Sequence, residues 1–262
     1  MAGGRALRYW CGDPFTPTMI KSALNGENWI STINKKFYLS ERLVNLYNQK
    51  LKKDFEEKLQ RTERLNEHFG SSGDFDVFAE KGNNILCVEV KTKIFSTLRR
   101  KEYAKYHFDS YPGCLDALLS LPKTSDEKIS ASCELLKYCL NLCEYHKQSK
   151  CHVAVLVPFY INPIELKNIP LYLKGLRQYV IDQHGLDVAM ALWCLVAKLD
   201  EKFPKDVVIH QIWQSENFDV PPPKIRNIDI EEGDKKFSET RYTYGNCADC
   251  KNRYLCNNRF ME

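Results

Sequence analysis

Leu43, Tyr47, Leu51, Phe55 and Leu59 recur every four positions, a spacing that lays one apolar side along a helix. Ser40 can cap that helix, which is expected to run to about residue 68 and to end at Gly70-Ser71-Ser72-Gly73. Ahead of it, Pro14, Pro17 and Gly26 predict that residues 1–39 are irregular. Beyond it, the pattern changes to short runs of apolar residues. Phe75 to Ala79 and Ile85 to Lys91 read as two strands joined through Glu80-Lys81-Gly82-Asn83-Asn84, whose Gly and Asn tolerate positive φ. A helix over 130–146 follows, with Leu135, Leu136, Tyr138, Cys139, Leu142 and Cys143 turned inward. Val153 to Tyr160 is apolar and β-branched enough for a buried strand. Helices are expected over about 164–182 and 186–200, a strand over 207–213, and a stiff spacer at Pro221-Pro222-Pro223. Alternating helices and strands of this kind predict a mixed α/β core.

Composition narrows the class. With 262 residues, 44% hydrophobic and 27% charged, the chain can build a sizeable core. The net charge of +4 permits a polyanionic partner without requiring one. Met1 to Pro14 holds no apolar run of secretory length, and the longest apolar stretch, Val188 to Ala197, is about half a membrane span. The expectation is a soluble intracellular protein, of cytoplasm or nucleus, with no membrane partner. Eleven cysteines in that setting do not suggest a disulfide framework. Cys87, Cys114, Cys133, Cys139, Cys143, Cys151 and Cys194 lie mostly in apolar surroundings and read as small hydrophobes. Cys11, Cys247, Cys250 and Cys256 stand apart, at the two ends.

The hairpin carries candidate chemistry. Side chains alternate along a strand, so Glu89 and Lys91 share a face, about 7 Å apart. Asp76 on the partner strand can meet them. Two carboxylates beside a lysine suit a hard divalent cation such as Mg²⁺ or Mn²⁺, and the lysine can orient water or neutralise charge on a phosphate. A hairpin with a solvated charged face is the competing reading, but Ile85, Leu86, Val88 and Val90 imply that both faces of the second strand are covered.

Asp76 followed by Glu89-Val90-Lys91 resembles the PD-(D/E)xK nuclease superfamily. Glu134-Leu135-Leu136-Lys137-Tyr138 is similar to the Q-x-x-x-Y helix motif of its RecB-type members, with Glu in place of Gln. The resemblance implies a restriction-endonuclease-like core, a mixed central sheet flanked by helices. It implies Asp76, Glu89, Lys91 and Tyr138 as catalytic residues, with the Val90 carbonyl and an upstream-helix acid, here Glu41, as further metal ligands.

Cys247-x₂-Cys250-x₅-Cys256 brings three thiolates within reach of one centre, and a fourth ligand would complete a tetrahedral zinc or a cubane iron–sulfur site. An N-terminal cysteine, a RecB-type core and this tail together resemble the iron–sulfur nucleases, among them CRISPR-associated RecB-like exonucleases, the AddB nuclease domain and exonuclease V. That likeness implies a 4Fe-4S cluster on Cys11, Cys247, Cys250 and Cys256 that joins the N- and C-terminal segments. The implied organisation is 1–69 as an N-terminal segment, 70–215 as the nuclease core and 216–262 as the cluster segment. Lys93, Arg99, Arg100, Lys101, Tyr103, Lys105 and Tyr106 interleave cations with aromatics, which suits single-stranded nucleic acid. The expected function is a metal-dependent nuclease acting on DNA, an exonuclease on single-stranded ends. A non-catalytic nucleic-acid-binding or scaffold protein and an RNA-directed nuclease stand as alternatives.

Overall fold

The computed structural model describes residues 15–45, 72–90, 126–158, 163–200 and 203–240. Within them lie α1 (Phe15–Gly26), β1 (Ile30–Tyr38), β2 (Ser72–Lys81), β3 (Asn84–Val90), α2 (Asp126–Tyr145), β4 (Lys150–Pro158), α3 (Pro163–His184), β5 (Val188–Asp200), β6 (Phe203–Gln214) and α4 (Asn227–Thr240). The strands form one six-stranded sheet in the order β1-β2-β3-β4-β5-β6. The first three form an antiparallel meander, β3, β4 and β5 run parallel, and β6 returns antiparallel. A parallel step needs a crossover, and α2 and α3 supply the two that are required.

The sheet separates two apolar layers. On one side Ile85, Cys87, Val153, Val155, Met190 and Leu192 pack under α2 and α3. On the other Val77, Leu86, Val88, Ala154 and Trp193 pack under α1 and the chain around Phe218 and Val220. The central strands are therefore covered on both faces, and β4 is buried continuously from Cys151 to Val157.

Two expectations need correction. Residues 15–38 are not irregular. Pro17 sits in the first turn of α1, where a missing N–H costs no bond, and Gly26 ends that helix, so these residues mark its limits. Met19, Ile20, Ala23 and Leu24 then give it a buried stripe. The stretch 186–200 is strand β5, not a helix. Its residues from Val188 to Leu195 are all buried, as both faces of a strand between β4 and β6 must be, whereas a surface helix would leave one side polar. The segment after the prolines contains α4, which packs on α1.

Asp229 joins those two helices. Its Oδ2 accepts the Arg226 backbone N–H at 2.7 Å, which satisfies a donor at the start of α4. Its Oδ1 accepts the Ser22 hydroxyl from α1 at 2.7 Å and the Arg226 guanidinium at 3.0 Å. Burial pushes the Asp229 carboxyl up, but the bonds from Arg226 and Ser22 outweigh it and hold it below the usual carboxylate range. A carboxyl held low in the folded state stabilises above its unfolded pKa, and that contribution is lost as pH falls through the folded value. Thermal denaturation between pH 7 and pH 3 should show wild type losing more stability on acidification than Asp229→Ala. At pH 7 the variant should be less stable by about 1–3 kcal/mol.

Candidate active site

The meander is interrupted at one place. The β1–β2 ladder runs from Ile30 opposite Glu80 to Ile33 opposite Val77, and resumes from Lys35 opposite Phe75 to Tyr38 opposite Ser72. The opposing pair in the gap is Asn34 and Asp76, and Asn34 has a φ of 51°. Asn is one of the few residues that adopt this left-handed conformation readily. Across the break the side chains change sides. Ser31 and Ile33 face α1, where the Ser31 hydroxyl donates to the Lys21 carbonyl at 3.0 Å. Lys35 and Phe37 face α2 instead, with the Lys35 ammonium 3.4 Å from the Phe78 ring centroid. In β2 Val77 and Ala79 face α1, while Phe75 joins the α2 layer.

The β2–β3 ladder ends at the same level, at Val77 opposite Val88. The next opposing residues are Asp76 and Glu89. Beyond that pair the side chain takes over from the backbone, because Asp76 Oδ2 accepts the Val90 N–H at 2.7 Å. The Asp76 N–H donates to Tyr138 Oη of α2 at 3.2 Å. The same hydroxyl lies 2.7 Å from the Asp74 carbonyl and is hydrogen-bonded to Glu89 Oε2. One phenol thus ties α2 to both acid-bearing strands.

Glu89 is 1% exposed, on the α2 side of β3 with Cys87 and Ile85. A carboxylate in that position is stable only when bonds or a cation compensate for lost hydration. Burial first, then the carboxylates of Glu89 and Asp76, hold the Tyr138 phenol well above its ordinary value. Tyr138 therefore keeps its proton and acts by orienting its neighbours. Its ring is wedged between aromatics, with the Phe75 centroid at 4.5 Å and that of Phe37 at 5.8 Å. Phe37 in turn lies on Gly73, where a Cβ would overlap the ring, so only glycine permits this packing.

Of the residues expected from sequence, Asp76, Glu89, Val90 and Tyr138 come together. Glu41 does not join them. It is exposed on the helical turn 41–45, and no group of three His, Cys, Asp or Glu side chains converges among the described residues. The Ser40 cap does hold, since its hydroxyl accepts the Leu43 N–H at 3.4 Å, and the Ser40 N–H donates to Glu144 of α2 at 3.2 Å. That anchor lies nearly two helical turns beyond Tyr138. Lys91, the four cysteines Cys11, Cys247, Cys250 and Cys256, and Lys93, Arg99, Arg100, Lys101, Tyr103, Lys105 and Tyr106 lie outside the described residues. Sequence reasoning missed the Asp74 carbonyl and Lys137, a buried lysine whose ammonium donates to the Ser72 carbonyl at 3.1 Å. Gly73 before Asp74 was the available signal of close packing there.

The donor set fits a hard cation in part. Asp76 and Glu89 supply carboxylate oxygens, Tyr138 orients one of them, and ions of the Mg²⁺ type retain several waters with only one or two protein carboxylates. The five described cysteines, Cys87, Cys139, Cys143, Cys151 and Cys194, are free and buried, and burial pushes up the Cys151 thiol to about 12. They behave as core residues. No helix among the described residues is long and apolar enough to cross a membrane. No protein-family model, curated protein or solved structure matches the chain.

Proposed function

We propose that this chain is a metal-dependent nuclease of the PD-(D/E)xK type that hydrolyses phosphodiester bonds of DNA, as an exonuclease on single-stranded ends. The observation that carries this reading is the meeting of Asp76 and Glu89 at the shared end of two broken ladders, on a tyrosine from the next helix. A buried strand, β4, follows that helix and pairs parallel to β3, the arrangement expected of a restriction-endonuclease-like core. Asp76, Glu89 and the Val90 carbonyl would hold Mg²⁺ or Mn²⁺. When bound, such an ion supplies positive charge at the phosphoryl oxygens and lowers the pKa of a coordinated water.

The chain's own residues do the remaining work. Asp76 spends one oxygen on the Val90 N–H and so fixes its carboxylate relative to β3. Tyr138 holds Glu89 from the α2 side and satisfies the Asp76 N–H. Lys91, two residues after Glu89, positions the attacking water or offsets charge on the phosphate. The four end cysteines would carry a structural 4Fe-4S cluster. A reading of this division is supported by the core placement of the other described cysteines.

The test is cleavage of end-labelled single- and double-stranded DNA and RNA by anaerobically purified protein with Mg²⁺, Mn²⁺ or EDTA, alongside iron and sulfide quantification. Metal-dependent trimming of single-stranded DNA ends is the expected outcome. Absence of cleavage on every substrate would leave a non-catalytic binding protein, and trimming of RNA alone would reassign the substrate. A preparation with zinc and no iron would replace the cluster with a zinc site.

A further inference from the structure

Beside the acidic pair, on the α2 side of the sheet edge, is an open groove of about 330 Å³. Lys35 and Lys36 of β1 bring positive charge to it, and no carboxylate lines it among the described residues. Two tyrosines on its walls remain largely in solvent, Tyr38 at 64% and Tyr145 at 57% exposure. Exposed aromatic rings beside cations are the elements that bind a single strand, because rings stack on bases and ammonium groups meet phosphates.

Two polar groups sharpen the picture. Asn141 lines the groove with only 5% of its surface exposed. Its amide carries both a donor and an acceptor, the complement of a base edge that presents the same pair. The His146 ring lines the same space, and burial, then the nearby Lys35, lowers its pKa, against a smaller opposing pull from Glu80. It therefore offers a neutral donor and acceptor at pH 7. An aromatic wall stands between the groove and the acidic pair, since Phe37 and Phe75 line the groove and also contact Tyr138. Tyr145 lies seven residues after Tyr138 on α2, about 10 Å along the axis, a separation of one or two nucleotides in an extended strand.

We propose that this groove seats a nucleotide of a single-stranded nucleic acid, its base stacked on Tyr145 or Tyr38 and bonded to Asn141 and His146, its phosphate on Lys36. The proposal deepens the nuclease reading and rests on it for the identity of the strand as substrate. DNA and RNA share the chemistry that this groove recognises.

The experiment is fluorescence anisotropy of fluorescein-labelled (dT)₈ and U₈ with the full chain in EDTA, across a salt series. Tyr145→Ala and Lys36→Ala alter exposed side chains and should keep the wild-type melting temperature. Tyr145→Ala should weaken binding about 10-fold, as loss of one stacked base does. Lys36→Ala should lower the log–log salt slope by about 0.7, as loss of one phosphate contact does. Lys174→Ala, an exposed lysine of α3, should match wild type. Comparison of the two oligonucleotides identifies the preferred sugar. Wild type that binds neither oligonucleotide, groove variants that bind like wild type, or an equal loss in Lys174→Ala would overturn the proposal. If the groove variants lose affinity while wild type cuts nothing with Mg²⁺ or Mn²⁺, the groove stands as a nucleic-acid site and the nuclease reading falls.

Discussion

Asp76→Asn should retain the fold and lose metal-dependent cleavage by on the order of 10³-fold, the scale of removing charge stabilisation at a metal-assisted phosphoryl centre. The amide oxygen of Asn can still accept the Val90 N–H, the 2.7 Å bond that secures the end of β3, so the structural role survives. The negative charge that would hold a cation does not. Glu89→Gln makes the complementary change, keeping an oxygen for the Tyr138 hydroxyl while removing the buried charge. Both variants should bind single-stranded oligonucleotide in EDTA as wild type does. Initial rates on end-labelled DNA with Mg²⁺, read beside circular dichroism melts, check the expectation. Cleavage within a few-fold of wild type by either variant would remove Asp76 and Glu89 from the chemistry.

Tyr138→Phe is the second large effect, and it separates orientation from coordination. The ring stays wedged against Phe75 and Phe37, so little apolar packing is lost. What disappears is a hydroxyl that meets the Asp76 N–H, the Asp74 carbonyl and Glu89 at once. Leaving buried groups of this kind without partners should cost about 1–3 kcal/mol in urea denaturation. Mn²⁺ affinity, measured by calorimetry, should fall about 10–100-fold, as when an outer partner of a metal ligand is removed. A stability loss with unchanged Mn²⁺ affinity would make Tyr138 a purely structural residue.

The acid-bearing hairpin was legible in the sequence because its signals are local. Val77, Phe78 and Ala79 and the run Ile85 to Val90 flank a two-residue turn, and Gly82 there takes a φ of 58°. Tyr138 was legible because α2 has a regular apolar stripe. The strand β5 was misread because Ala189, Met190, Ala191 and Leu192 favour helices when considered alone, and only their placement between two other strands makes them extended. The helix α4 was missed because its packing depends on Asp229 reaching Ser22, 207 positions away. Within the site, the pairing of Asp76 with Val90 and the seat of Phe37 on Gly73 depend on the register of three strands, which no short window of sequence contains.

The left-handed Asn34 has a second effect, on association between molecules. β1 is the outermost strand at its end of the described sheet, and a long regular outer strand is a template on which another chain can add. Here the outer strand breaks its regular course at its midpoint, and two lysines, Lys35 and Lys36, follow the break directly. An incoming strand would find its hydrogen-bonding partners out of step and would have to desolvate an ammonium group beside them. The irregularity that turns Phe37 toward Tyr138 thereby also guards the molecule against edge-to-edge aggregation.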